Sequence, residues 1–165
     1  MNVLIFGKSP LAAAGERALI RAANAALGPS AKKRGELCII LCTDAQIRKV
    51  NSRFLRHDRI TDVISFRYPE QKEGSWPSVP AKKEVPPFGD IYIGLGAARK
   101  QSKQLGHDLL QELIILVLHG TLHLMGYDDQ RPADTRRMFT KQAHLLARLC
   151  GQNRKPAPAK KTRRA

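Results

Sequence analysis

Two histidines four residues apart, His119 and His123, stand in the stretch HGTLHLMGYDD, an apolar run that closes on a pair of aspartates. On a helix, positions i and i+4 share a face with Cβ atoms about 6 Å apart, close enough for two imidazoles to meet on one cation. Gly126 is the residue type that ends a helix with a positive φ, and the bend it makes lets Asp128 or Asp129 swing back as a third donor. Two nitrogens and one carboxylate leave a position for water, which is the pattern of a catalytic zinc centre and not of a closed structural one. The bare spacing also suits two core histidines with satisfied nitrogens. A metalloprotease is disfavoured, because its HExxH motif places a general-base glutamate after the first histidine and this chain has Gly120 there.

The helix that must carry these residues is HDLLQELIILVLHGTLHLMG, residues 107–126, the most hydrophobic in the chain and therefore central. NVLIF (2–6), ELCIILC (36–42), TDVISF (61–66) and GDIYIG (89–94) read as strands. A helix opened by Pro10 runs to Gly28, with Leu11, Ala18, Leu19, Ala22, Ala26 and Leu27 facing inward. A second covers TDAQIRKVNSRFL, capped by Thr43 or Asp44, with Ile47, Val50 and Phe54 inward. LGAARKQSKQLG is a short helix with its basic residues outward, and RPADTRRMFTKQAHLLARLCG closes the domain with Met138, Ala143, Leu146 and Leu149 inward. Residues 67–88 hold five prolines and read as a long surface loop. Strands and helices alternate early and helices dominate late. That order predicts an α+β single domain over residues 1–151, a small mixed sheet packed with helices.

Residues 152–165 carry six basic residues and no acid, which predicts a disordered basic tail. Of the net charge of +15, the remaining +9 lies on residues 1–151, so the excess is not confined to the tail. A field of that sign attracts polyanions, nucleic acid first among them. No apolar run reaches the ~20 residues that a membrane span requires, and the N-terminus lacks the basic segment of a signal peptide. The three cysteines, Cys38, Cys42 and Cys150, fit reduced thiols of a cytoplasmic protein. Cys38 and Cys42 sit in a strand pattern and read as small apolar residues, not as metal ligands.

HGTLHLMGYDD resembles the signature H-G-x-L-H-L-x-G-Y-D-H of the YbeY family of rRNA-maturation metalloendoribonucleases, with ten of eleven positions compatible. NSRFLRHDRITDVISF (51–66) is similar to that family's Asn-containing helix end and T-D-V-L-S-F strand, and GDIYIG to its G-D-I-x-I strand. The order and spacing of the three blocks agree over roughly residues 36–130. The resemblance implies a sheet of about four strands, with the metal helix central. It implies a cytoplasmic hydrolase with one Zn²⁺ ion that cuts single-stranded RNA, trims the 3′ end of 16S rRNA and acts in ribosome quality control. Its partners would be pre-16S rRNA and the small ribosomal subunit or its proteins, with no DNA and no membrane. Two of the family's zinc ligands carry over to His119 and His123.

This chain departs from the pattern at three places. The third histidine falls on Asp129, whose carboxylate zinc also accepts at about 2.0–2.2 Å. The family's arginine after the aromatic of the helix end is Leu55 here, and the arginine follows as Arg56, the expected catalytic cation. The last helix, acid-rich in many relatives, is basic in this chain. The rival expectation is a non-catalytic ribosome-assembly factor that binds RNA beside a degenerate metal site.

Overall fold

The computed structural model describes residues 1–33, 35–69 and 85–151. The basic tail and most of the proline-rich loop lie outside the described residues. The order of elements is β1 (Asn2–Phe6), α1 (Ala13–Leu27), β2 (Glu36–Cys42), α2 (Asp44–Val50), β3 (Val63–Arg67), β4 (Pro87–Gly94), α3 (Leu95–Leu105), α4 (Leu109–Leu124) and α5 (Pro132–Gly151). A 3₁₀ turn (Gly28–Lys32) follows α1 and a π turn (Asn51–Leu55) follows α2. Among the described residues the fold is thus α+β, with four strands and five helices.

The strands form one sheet in the order β1-β2-β4-β3. β1 and β4 run parallel to β2, and β3 runs antiparallel to β4. Parallel neighbours need a crossover, which α1 supplies between β1 and β2. Alternation along the strands divides the faces. Leu37, Ile39 and Leu41 of β2 and Ile91 and Ile93 of β4 are buried with side chains of α1, α3, α4 and α5 in the main core. The opposite face carries a smaller cluster of Cys42, Ile47 and Ile64 beneath α2.

α4 is buried nearly all round, with Leu113, Val117, Leu118 and Leu122 fully enclosed. Asp108 caps its N-terminus, accepting from the Gln111 N–H at 2.7 Å. Gly120 explains how closely this helix lies on the sheet. A Cβ there would stand 2.8 Å from Ile91 Cγ2 and 2.8 Å from Ser65 Oγ. The glutamate of a protease motif has no room at this position.

Four sequence expectations need correcting. α1 starts at Ala13, not at Pro10, although Gly28 ends it as expected with a φ of 55°. Thr43 does cap α2, in a reciprocal capping box with Gln46. Phe54, however, does not face inward and is 58% exposed, its ring packed edge-on against Phe66. The π turn inserts an extra residue into the helical rhythm and rotates Phe54 away from the face shared by Ile47 and Val50. On α5 the inner face is Met138, Gln142 and Leu145. Ala143 is exposed, and Leu146 and Leu149 are half-buried. The strand bounds also shift, β3 running Val63–Arg67 instead of 61–66 and β4 starting at Pro87 instead of Gly89, which takes both ends of the supposed loop.

Cys38 and Cys42 are free thiols among strand residues. Burial, then the Asp90 carboxylate, pushes the Cys38 thiol up to about 11, so it stays protonated and unreactive. No described helix is long and apolar enough to cross a membrane.

Candidate metal centre

His119 and His123 lie on the open side of α4, their side chains 19% and 30% exposed. The helix then closes as the sequence requires. Gly126 adopts a φ of 86°, its N–H donates to the His123 carbonyl at 2.9 Å, and the Tyr127 N–H reaches the Leu122 carbonyl at 3.0 Å. This paired Schellman closure reverses the chain over one turn. Asp128 tightens the reversal, its Oδ1 accepting from the N–H groups of Asp129 and Gln130. Thr135 at the start of α5 donates its hydroxyl to the Asp129 carbonyl at 2.8 Å. Asp128 is therefore the turn residue, and Asp129 points back at the histidines.

His119 Nε2 and His123 Nε2 are 3.0 Å apart, and Asp129 Oδ2 lies 3.6 and 3.7 Å from them. A circle through three points with those separations has a radius of about 2.0 Å, the length of a zinc bond to nitrogen or carboxylate oxygen. Among the described residues these three form the group that could hold a metal ion.

The outer nitrogens decide what the inner ones can do. His119 Nδ1 faces the Gln142 side-chain oxygen at 3.1 Å, and His123 Nδ1 faces the Tyr127 carbonyl at 3.0 Å. Both partners accept, so both rings carry their proton on Nδ1 and turn a lone pair from Nε2 into the shared space. Two lone pairs at 3.0 Å with a carboxylate beside them repel one another unless a cation sits between. The donor set fits a divalent ion. Burial, and then repulsion from His123, holds the His119 imidazole below its ordinary pKa, which favours the neutral, metal-binding form.

Gln142 was missed by the sequence reading. The available signal was a polar residue in line with Met138 and Leu145, at spacings of four and three along the buried stripe of α5. Its removal is a direct test. Gln142→Leu is expected to weaken metal affinity by about 10–100-fold while leaving the protein folded, the usual scale for losing a partner that orients a ligating histidine. Competition against a chelator of known affinity measures it, and an unchanged affinity rejects the orienting role.

Arg56 stands apart from this group. It ends the π turn in left-handed conformation, with a φ of 58°, and is exposed. Among the described residues no hydrogen bond or ion pair joins its side chain to His119, His123 or Asp129. Phe139 does adjoin the site, its ring centroid 6.2 Å from that of His119 and its surface half exposed.

Fold and site together define the class: a small α+β domain whose central helix and following turn bring together two histidines and a carboxylate that could hold a cation. The family model for endoribonuclease YbeY matches residues 12–150. Endoribonuclease YbeY of Elusimicrobium minutum is 36% identical over 126 residues, which is 76% of this chain and 82% of the relative. That of Bacillus licheniformis is 40% identical over 114 residues, 68% of this chain and 71% of the relative. A Thermotoga maritima protein of known solution structure shares the fold, with a TM-score of 0.59 at 22% identity over 91% of this chain and 90% of that one. The chain belongs to the YbeY endoribonuclease family.

Proposed function

We propose that this protein is a zinc-dependent endoribonuclease that cuts single-stranded RNA, with one Zn²⁺ held by His119, His123 and Asp129. Its place would be 3′-end maturation of 16S rRNA and ribosome quality control, with pre-16S rRNA and the small ribosomal subunit as partners. The observation that carries the reading is the pair of Nε2 lone pairs turned on one another at 3.0 Å, each locked there by an accepting partner on the far nitrogen. Membership of the endoribonuclease family supports the RNA substrate.

When bound, the ion supplies Lewis acidity, activating water and offsetting the charge that builds on a phosphodiester under attack. The residues of the chain do the rest. His119 and His123 hold their lone pairs in place, and Asp129 closes the triangle from an exposed turn that leaves the opposite side open to substrate. Arg56 has a free guanidinium among the described residues and is assigned to the RNA phosphates. An anionic third ligand lowers the net charge of the centre from +2 to +1, so the surrounding basic surface does more to draw the backbone in.

Asp129 tests this directly. Asp129→Ala is expected to lower zinc affinity and RNA cleavage by about 100-fold each, whereas Asp129→His retains one ion and cleavage. Elemental analysis and cleavage of an end-labelled single-stranded RNA measure both. An alanine variant that keeps its zinc and its activity removes Asp129 from the ligand set. Wild-type protein with a full complement of zinc and no cleavage would instead leave a non-catalytic assembly factor.

A further inference from the structure

Beyond the C-terminal end of α4, beginning one residue after His123, lies a cavity of about 400 Å³. Its lining includes the apolar side chains of Met1, Phe88, Leu124 and Met125 together with the exposed Lys33 and Arg67. The guanidinium carbon of Arg67 lies 3.6 Å from the centroid of the Phe88 ring, so a flat cation is stacked on an aromatic within the cavity wall. The volume falls in the range of about 300–1,000 Å³ in which proteins hold small ligands.

We propose that this cavity takes one nucleobase of the single-stranded RNA, close to the bond that is cut; the proposal rests on the nuclease reading given above. Bases of single strands are held by stacking on aromatic rings and on arginine planes, while lysine and arginine follow the phosphates. The cavity offers both kinds of contact in one place. A free phosphate has no use for the methionine and phenylalanine side chains, and a purely apolar ligand has none for the exposed Lys33 ammonium. A base with its flanking phosphate uses both. The cavity lies along the helix that carries the histidines: Leu124 follows His123 in the chain, and Arg67 shares the helix-facing side of β3 with Ser65, which lies against Gly120.

The test uses full-length protein and fluorescein-labelled single-stranded RNA octamers, either intact or lacking one base at successive positions. Anisotropy reads the binding, and a gel checks that the RNA is intact. Removing one particular base is expected to weaken binding to wild-type protein about tenfold or more, the scale of a lost base stack. In Phe88→Ala the intact RNA binds about as weakly as the abasic one, and the same base removal changes affinity less than twofold. Lys33 is exposed, so Lys33→Ala keeps the fold; it is expected to reduce the slope of log K against log salt by about 0.7.

Base removal that costs the same factor in wild type and Phe88→Ala, or an unaltered salt slope in Lys33→Ala, overturns the proposal. Cleavage read in parallel separates the two claims. RNA cut normally with additive losses rejects the cavity and keeps the nuclease. Coupled losses without any cleavage reject the nuclease and keep the cavity.

Discussion

Alanine at position 123 is expected to empty the metal centre and lower RNA cleavage by roughly a thousandfold or more, equivalent to about 4 kcal/mol of barrier. With Nε2 of His123 gone, His119 and Asp129 remain as two donors 3.6 Å apart, too few for a tight zinc site. The fold should survive. The His123 side chain is 30% exposed, and among the described residues its one hydrogen bond outside the donor triangle goes to the Tyr127 carbonyl, which water can satisfy. The informative comparison is therefore between metal-free forms: wild type and His123→Ala should melt together without zinc and separate when zinc is added, because only one of them binds it. A His123→Ala protein with one zinc per chain would show that the imidazoles are core residues after all.

The second large effect lies at Gly120. Gly120→Glu is expected to abolish stable folding, because the new Cβ meets Ile91 and Ser65 at 2.8 Å and the rest of a charged side chain must then be fitted between α4 and the sheet. Gly120→Ala isolates the first of these terms. Overpacking costs about 1–3 kcal/mol, and the better helix propensity of alanine returns about 1 kcal/mol. The net cost of about 0–2 kcal/mol should lower the melting temperature by no more than about 8 °C. The two variants also separate family identity from chemistry: restoring the HExxH pattern here cannot create a protease. Thermal melts check both, and a Gly120→Glu protein with wild-type stability would mean that α4 does not lie so close to the sheet.

What the sequence made legible was local. The i, i+4 spacing of His119 and His123, the helix stop at Gly126 and a helix cap at Thr43 or Asp44 each depend on residues within one turn, and all three stand in the structure, the cap falling to Thr43. The central position of α4 was legible because a helix apolar all round has nowhere else to go. The remainder depended on contacts across the chain. Gln142 is 23 residues from His119 and is buried because it holds that ring; a hydrophobic pattern assigns a glutamine to the surface, and so the inner face of α5 was read one residue out of phase. Phe54 was misplaced for the converse reason. A helical period was carried through a segment where the backbone had changed to a π turn, which composition does not signal. The closeness at Gly120 was equally hidden, since a glycine announces that space is short without saying which neighbours take it.

Two members of the triad draw their support from one helix: His119 leans on Gln142 near the middle of α5, and the Asp129 carbonyl is tied to Thr135 in its first turn. An ion seated there acts as a clasp between the interior of the protein and its last 20-residue helix. Loading and emptying that clasp would be felt along the helix as far as the point where the lysine- and arginine-rich terminus begins, so cofactor status and the hold of the C-terminal segment become one property.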